Sequence, residues 1–156
     1  MDYYEALFSK ATDSPCQKRG FGCILVMDDK IAAFTNNHDI DEISHLCKPT
    51  CVRLSMPSGS ESMVGDCGHA EEHAIWETIQ KLGTVKGAEL WVLGVSKPDN
   101  TVLENPKFYC IRCSTLMRYS GVAGVHCFSN NQWHWIPTEE AYKHSLEYAI
   151  PGEAQP

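Results

Sequence analysis

Cys67-Gly-His-Ala-Glu-Glu-His-Ala-Ile75 opens the helix around which the rest of the chain is arranged. Within it, His69 stands two residues before Glu71, at the start of a segment with apolar residues at helical spacing. Gly83 is a residue type that commonly ends a helix. We therefore predict a helix over residues 69–82. Ile75, Ile79 and Leu82 fall on one face of this helix, with Ala74 beside them.

A second group of candidate ligands follows in Cys110-Ile-Arg-Cys113. Two thiolates at i and i+3 in a first helical turn point the same way, which suits two bonds of about 2.3 Å to one zinc ion. Unpaired N–H groups at a helix start also favour the thiolate form. With His69 as third ligand, the fourth tetrahedral position is left to water, as in catalytic zinc sites.

Glu71 completes this predicted centre as a catalytic group that is not a ligand. A carboxylate two residues after the ligand His69 could take a proton from the zinc-activated water and deliver it to a base and its leaving amine. The combination of H-x-E with a later C-x-x-C is the pattern of zinc-dependent nucleobase deaminases. The competing interpretation is a helix-start histidine held by the backbone and two buried core cysteines.

Composition narrows the class of protein. The chain has 156 residues, 43% apolar and 21% charged, which predicts one compact globular domain spanning residues 1–156. No apolar run is long enough to cross a bilayer, and the N-terminus does not resemble a signal peptide, so we expect a cytoplasmic protein without membrane partners. The net charge of −7 argues against a nucleic-acid partner.

The order of the predicted elements indicates an α/β fold. Strands alternate with helices in the second half, which favours parallel crossovers and a three-layer α/β/α arrangement. The predicted helices are 2–12, 69–82, 110–119 and one beginning at Thr138, and the predicted strands are 21–27, 31–35, 90–95 and 122–128. Between the second strand and the central helix lies a long segment, residues 36–68, which is rich in turn-forming residues.

Eight cysteines in a chain without a signal peptide favour metal binding over disulfides. Cys47, Cys51 and Cys67 lie in or at the edge of the long segment and could hold a second, structural zinc. The fourth ligand would be His45 or Cys16. The alternative is that these are ordinary free cysteines. Two further cysteines, Cys23 and Cys127, fall in strands and are expected in the core.

These motifs resemble the cytidine deaminase-like superfamily, and within it most closely the deoxycytidylate (dCMP) deaminases. The similarity runs from about Ser14 to Phe128: Ser14-Pro-Cys-Gln-Lys-Arg-Gly-Phe-Gly22 is similar to that family's S-x-C-x-K-R-x-V-G, and the stretch from His69 to Ile75 to its H-A-E-x-N-A-I. The resemblance implies a five-stranded mixed sheet with helices on both faces, and a homo-oligomer. By the same resemblance, the zinc ligands are His69, Cys110 and Cys113, the proton shuttle is Glu71, and Asn37 is a substrate contact.

The sequence departs from the family pattern at four places. Tyr109 replaces a proline before the first cysteine, and His38 replaces a glycine after the substrate-contacting asparagine. His73 replaces the asparagine of H-A-E-x-N-A-I, and residues 96–108 separate the third strand from the cysteine motif. None of these changes removes a predicted ligand or Glu71. They lie around the expected pocket and therefore bear on the substrate more than on the mechanism.

The sequence thus predicts a zinc-dependent hydrolytic deaminase of a free cytosine nucleotide, with dCMP as substrate and dUMP as product. One alternative is a deaminase of another nucleoside, nucleotide or nucleic-acid base on the same scaffold. A different class of alternative is a non-catalytic zinc-binding interaction module. The presence of Glu71 argues against that module, because a structural zinc has no need of a proton shuttle.

Overall fold

A mixed sheet with helices on both sides forms the part of the chain described by the computed structural model, which covers residues 2–38, 50–51, 54–55 and 67–149. Within these ranges, no helix combines the length and apolar character needed to cross a membrane. The helices are α1 (Tyr4–Thr12), α2 (Ala70–Leu82), α3 (Ile111–Ser120) and α4 (Thr138–Ala149). The strands are β1 (Arg19–Met27), β2 (Lys30–Asn36), β3 (Glu89–Ser96), β4 (Thr101–Val102), β5 (Gly124–Ser129) and β6 (Gln132–Pro137).

Five strands make up the main path of the sheet, in the order β2-β1-β3-β5-β6, and the short β4 pairs with the end of β3. β3 and β5 are parallel, whereas the pairs β1–β2, β1–β3, β3–β4 and β5–β6 are antiparallel. This confirms the predicted mixed sheet. Two strands had no counterpart among the elements predicted from the pattern: β4, and β6, which lies between the turn at Asn130 and the final helix.

Side chains of the strands alternate between the two faces of the sheet, and each face packs against different helices. On β3, Leu90 and Val92 pack in a core that includes residues of α2, α3 and α4. Leu93 and Val95 point to the other face and pack with residues of α1. The structure therefore confirms the three-layer α/β/α fold. It also places α2 and α3, the helices that begin at the candidate ligands, on the same face.

The hairpins are closed by tight turns that use left-handed backbone. Asp28 and Asp29 connect β1 to β2 with φ values of 50° and 61°, and Asn130 and Asn131 connect β5 to β6 with φ values of 53° and 58°. Asp and Asn tolerate this conformation better than most residues, and two successive positive φ values match the right-handed twist of the flanking strands. The turn chemistry is therefore local and readable from the sequence.

Helix α2 turns a different face to the sheet from the one predicted. Ile75 and the neighbouring Ala74 are fully buried, but Ile79 and Leu82 are 38% and 57% exposed, so the predicted apolar face is buried only in its N-terminal part. Small buried residues, Ala70, Ala74 and Thr78, line the helix instead. They let the helix backbone come close to β2, where the Thr35 hydroxyl donates a hydrogen bond of 2.7 Å to the Ala70 carbonyl. Close packing against the strand determines the rotation of the helix.

Candidate active site

The candidate ligands meet where two helices begin on the same face of the sheet. His69 is the residue immediately before α2, and Cys110 is the residue immediately before α3. The His69 Nδ1 atom lies 3.2 Å from the Cys113 Sγ atom and 3.3 Å from the Cys110 Sγ atom. Residues more than forty positions apart in the chain are thus brought into direct contact, as the motif predicted.

This arrangement fits a zinc ion. The three ligand atoms of His69, Cys110 and Cys113 all lie within 4.8 Å of one another. Zinc at its usual bond lengths would hold a nitrogen and a sulfur about 3.6 Å apart in a tetrahedral site, close to the two distances observed. One imidazole and two thiolates are also a donor set that zinc favours, and three ligands leave a position open for water.

Hydrogen bonding and burial shift the pKa values of the two thiols, Cys110 and Cys113, in opposite directions. The hydrogen bond from the Cys113 thiol, followed by that from His69, lowers the pKa of Cys110 to about 5. Burial raises the pKa of Cys113, and its hydrogen bond to Cys110 adds to the effect. Burial alone would lower the pKa of His69, but the thiolate of Cys110 and the nearby carboxylates raise it on balance. A cation bound by these three side chains would displace their protons, so metal binding and protonation compete at this centre.

Glu71 lies in the first turn of α2 with its side chain almost completely buried, at 6% exposure. Burial, and then the negative charge of Cys110, raise the pKa of its carboxyl group to about 7. A carboxyl group with a pKa near neutrality can both accept and return a proton under physiological conditions. The buried thiols of Cys23 and Cys127 are close enough to Glu71 for its charge to raise their pKa values further, which makes them part of the surrounding core.

An ion pair that the sequence analysis did not foresee joins the starts of the two helices. The Arg112 guanidinium donates from Nε to Glu72 Oε2 at 3.0 Å and from its Nη2 atom to Glu72 Oε1 at 2.7 Å. The same Nη2 atom donates to the Cys67 carbonyl at 3.2 Å. Glu72 Oε1 also accepts from the His69 backbone N–H at 3.0 Å. In the sequence, the only local indication of this contact is that Glu72 is an acidic residue in the first turn of a helix. Nothing there identifies Arg112 as its partner.

Asn37, the predicted substrate contact, is buried directly after β2. Its side-chain carbonyl accepts from the Phe21 backbone N–H at 2.7 Å, and its amide donates to the Arg19 carbonyl at 2.9 Å. The Ser14 hydroxyl donates to its backbone carbonyl at 2.6 Å. Asn37 is thus firmly bound to the start of β1, and its contact with substrate stays a prediction.

The predicted second zinc site is only partly within the described residues. Cys47 and the alternative ligand His45 lie outside them. Cys51 is buried, and its backbone N–H donates to the Gln17 side chain at 3.1 Å. Over the described ranges, His69, Cys110 and Cys113 form the one group of three potential ligands, and neither Cys51 nor Cys67 belongs to it. A second zinc site stays a prediction.

Comparison with known families identifies the class of protein. The sequence model of the cytidine and deoxycytidylate deaminase zinc-binding region matches residues 1–129. The chain belongs to this deaminase family. It is a zinc-dependent hydrolytic deaminase, as the motifs predicted, and the family's zinc agrees with the site formed by His69, Cys110 and Cys113. No curated protein matches the sequence of this deaminase.

Two solved structures resemble the deaminase at low identity. A crystal structure described as dCMP deaminase from the cyanophage S-TIM5 in apo form is 20% identical, with a TM-score of 0.48, and the match covers 79% of this chain and 76% of that one. A second structure, of dCMP deaminase from the same phage in complex with dCMP and dUMP, is also 20% identical, with a TM-score of 0.42. That match covers 80% of this chain and 81% of the other.

Two of the deaminase's departures from the family pattern contact each other. The rings of His38 and His73 stack with their centroids 3.6 Å apart and their planes at 11°. Backbone hydrogen bonds of 3.0 and 3.2 Å link His38 to Gly68 in both directions. A Cβ atom at Gly68 would overlap His73 Nε2, so a larger residue at this position would have to displace the stacked ring. The two histidines therefore replace the family's residues as one packed unit.

The other two departures also have structural partners. Residues 96–108 lie between β3 and the cysteine motif, and within them β4 pairs with the end of β3. Directly after β4, the Leu103 N–H donates to the Gly94 carbonyl at 2.8 Å. Tyr109 packs against Tyr148 of α4, with ring centroids 5.2 Å apart. The extra chain is accommodated at the sheet, and α4 supports the residue before Cys110.

Proposed function

We propose that this deaminase removes ammonia from the cytosine base of a free nucleotide, with dCMP as substrate and dUMP as product. The observation that carries the proposal is the position of Glu71, buried with a pKa of about 7 beside three converging ligands. A structural zinc site has no use for a buried, proton-exchanging carboxyl group. We assign His69, Cys110 and Cys113 as zinc ligands and Glu71 as the proton-transfer residue.

The proposed reaction exchanges the C4 amino group of cytosine for an oxygen atom from water. Zinc in this centre would polarise the water and lower its pKa toward neutrality. Glu71 accepts a proton from that water as the oxygen attacks C4, and donates a proton to the ring nitrogen N3. Glu71 then takes the proton that remains on the added oxygen and donates it to the C4 amine, so that the C4–N bond breaks, ammonia leaves and the C4 carbonyl forms.

The choice of a free cytosine nucleotide rests on motif resemblance and charge. The stretch from Ser14 to Gly22 and the H-A-E motif at His69 resemble dCMP deaminases, and the matching family includes cytidine and deoxycytidylate deaminases. A net charge of −7 disfavours binding to a long polyanion, whereas one phosphate needs only one or two cationic groups. Two of the cationic groups already form ion pairs, Arg112 with Glu72 and Arg118 with Glu139.

Ammonia release from a panel of substrates tests the proposal. Purified protein would be mixed separately with dCMP, dCTP, cytidine, guanine and cytosine-containing oligonucleotides. We expect turnover with dCMP, a loss of at least about 100-fold in Glu71→Ala with zinc retained, and little change in the matched variant Glu77→Ala. Glu77 lies on the same helix with a side chain 44% exposed, in an ion pair with Lys81.

The other possible results of the substrate panel each lead to a specific conclusion. Faster turnover of another substrate in the panel would replace dCMP while keeping the assigned residues. Retention of activity in Glu71→Ala would remove Glu71 from the mechanism. Zinc binding without turnover of any of the substrates would contradict the proposal and favour a zinc-binding module.

A further inference from the structure

The contact between Glu72 and Arg112 joins two elements that carry all three ligands. Glu72 lies three residues after His69 on α2, and Arg112 lies between Cys110 and Cys113 on α3. The two hydrogen bonds between their side chains, 2.7 and 3.0 Å long, form a bidentate fork, a geometry that fixes direction as well as distance. Any relative movement of the two helix starts would stretch this fork.

The pair also fixes the backbone at the histidine ligand. Glu72 Oε1 accepts from the His69 N–H, and Arg112 reaches past it to the Cys67 carbonyl. The residues on both sides of Gly68 are therefore attached to α3 through one guanidinium group. Cys110 and Cys113 lie on either side of Arg112 in the chain. The pair therefore holds the backbone of His69 in a fixed position relative to the two thiolates.

Charge gives the pair a second role at the metal centre. Glu72 is only 6% exposed, and burying a carboxylate is costly unless it is paired and hydrogen-bonded. Its Oε1 atom lies 3.9 Å from His69 Nδ1, the nitrogen that faces the thiols. Arg112 occupies both carboxylate oxygens. Without it, Glu72 would compete with the metal for the His69 ring.

We infer that Glu72 and Arg112 form a positioning pair that holds His69 in register with Cys110 and Cys113 and thereby sets the zinc affinity of this deaminase. This inference rests on the zinc centre of the proposed function. Glu72 contacts the backbone of the ligand His69, Arg112 contacts the backbone of Cys67, and the two side chains contact each other. Supporting groups of this kind typically change metal affinity by about 10- to 100-fold when they are removed.

Zinc competition against a chromogenic chelator, without nucleotide, tests the inference. We expect Arg112→Gln to lower zinc affinity by at least about 10-fold. The double variant Glu72→Gln/Arg112→Gln should recover part of that loss, because the uncompensated carboxylate is gone. The matched control is Arg118→Gln, which breaks a 3.1 Å ion pair between α3 and Glu139 of α4 away from the ligands, and should change zinc affinity by less than about 2-fold.

A spectroscopic measurement separates positioning from general stability. Cobalt(II) bound to the wild-type site should give the absorption bands of tetrahedral coordination with thiolate ligands, and Arg112→Lys should weaken them, since lysine keeps the charge but lacks the fork. If Arg112→Gln does not fold, Arg112→Lys takes its place in the zinc-affinity measurement. Unchanged zinc affinity and unchanged cobalt spectra in the Arg112 variants would overturn the inference. A wild-type protein that binds no zinc would overturn the proposed function as well.

Discussion

Replacing Glu71 with glutamine should stabilise the metal-free protein at neutral and alkaline pH. The folded structure raises the pKa of the Glu71 carboxyl group from 4.5 to about 7. Each unit of pKa is equivalent to about 1.4 kcal/mol, so ionising Glu71 costs the folded state about 3 kcal/mol relative to the unfolded chain. Glutamine has a similar shape and remains neutral, and it avoids this cost.

The sign of the effect defines the pH range of the experiment. Below pH 4.5, Glu71 is protonated in both states, and the variant should match the wild type in free energy of unfolding. As the pH rises, the unfolded chain loses its proton first, and the wild type loses stability until the pH passes about 7. The advantage of Glu71→Gln should therefore develop between these values and level off at about 3 kcal/mol near pH 8.

Urea unfolding of chelator-treated, fully reduced protein from pH 4.5 to 8 measures this difference. Glu77→Gln, at the solvent-facing position on the same helix, is the control and should stay within about 0.5 kcal/mol of the wild type throughout. With zinc bound, the positive charge of the ion favours the Glu71 carboxylate, so the advantage of glutamine should shrink. A pH-independent difference between the wild type and Glu71→Gln in the metal-free state would refute the reasoning.

Three further predictions concern the same region. Gly68→Ala should cost about 1–3 kcal/mol in urea unfolding, because its Cβ would overlap His73 Nε2, and His73→Ala in the same chain should relieve most of that cost. Zinc affinity should rise at least about 10-fold per pH unit between about pH 6 and 8 in chelator competition, because the raised pKa of Cys113 means that zinc must displace its proton. Cys113→Ser should abolish stoichiometric zinc binding by metal analysis while Cys127→Ser, in a core strand, should retain it.

The zinc centre could be predicted because its chemistry is encoded locally. His69 and Glu71 share one helix start, and Cys110 and Cys113 share another, so the spacing within each motif already fixes which side chains can converge. In the structure, the connections β2–α2–β3 and β3–α3–β5 advance in the same direction along the sheet, and right-handed crossovers then place both helix starts on one face. The fold class followed from the same alternation, without any knowledge of which strands pair.

Features that depend on contacts between distant segments could not be predicted from the sequence. The Glu72–Arg112 fork joins residues forty positions apart and has no periodic pattern. The burial of α2 was misjudged because apolar spacing alone favours Ile79 and Leu82, whereas the helix turns its small residues to the sheet. The stacking of His38 on His73 likewise could not be read from two separate departures from a family pattern.

The two hydrogen bonds between His38 and Gly68 have a consequence for protein engineering. They join positions 38 and 68, near the two ends of the long segment of residues 36–68, directly beside His69. Because the cost of closing a loop rises only slowly with its length, segments of different length can span the same pair of anchors. The deaminase therefore offers a fixed pair of anchors beside its candidate zinc site, between which recognition sequences from other enzymes could be grafted and screened for new substrates.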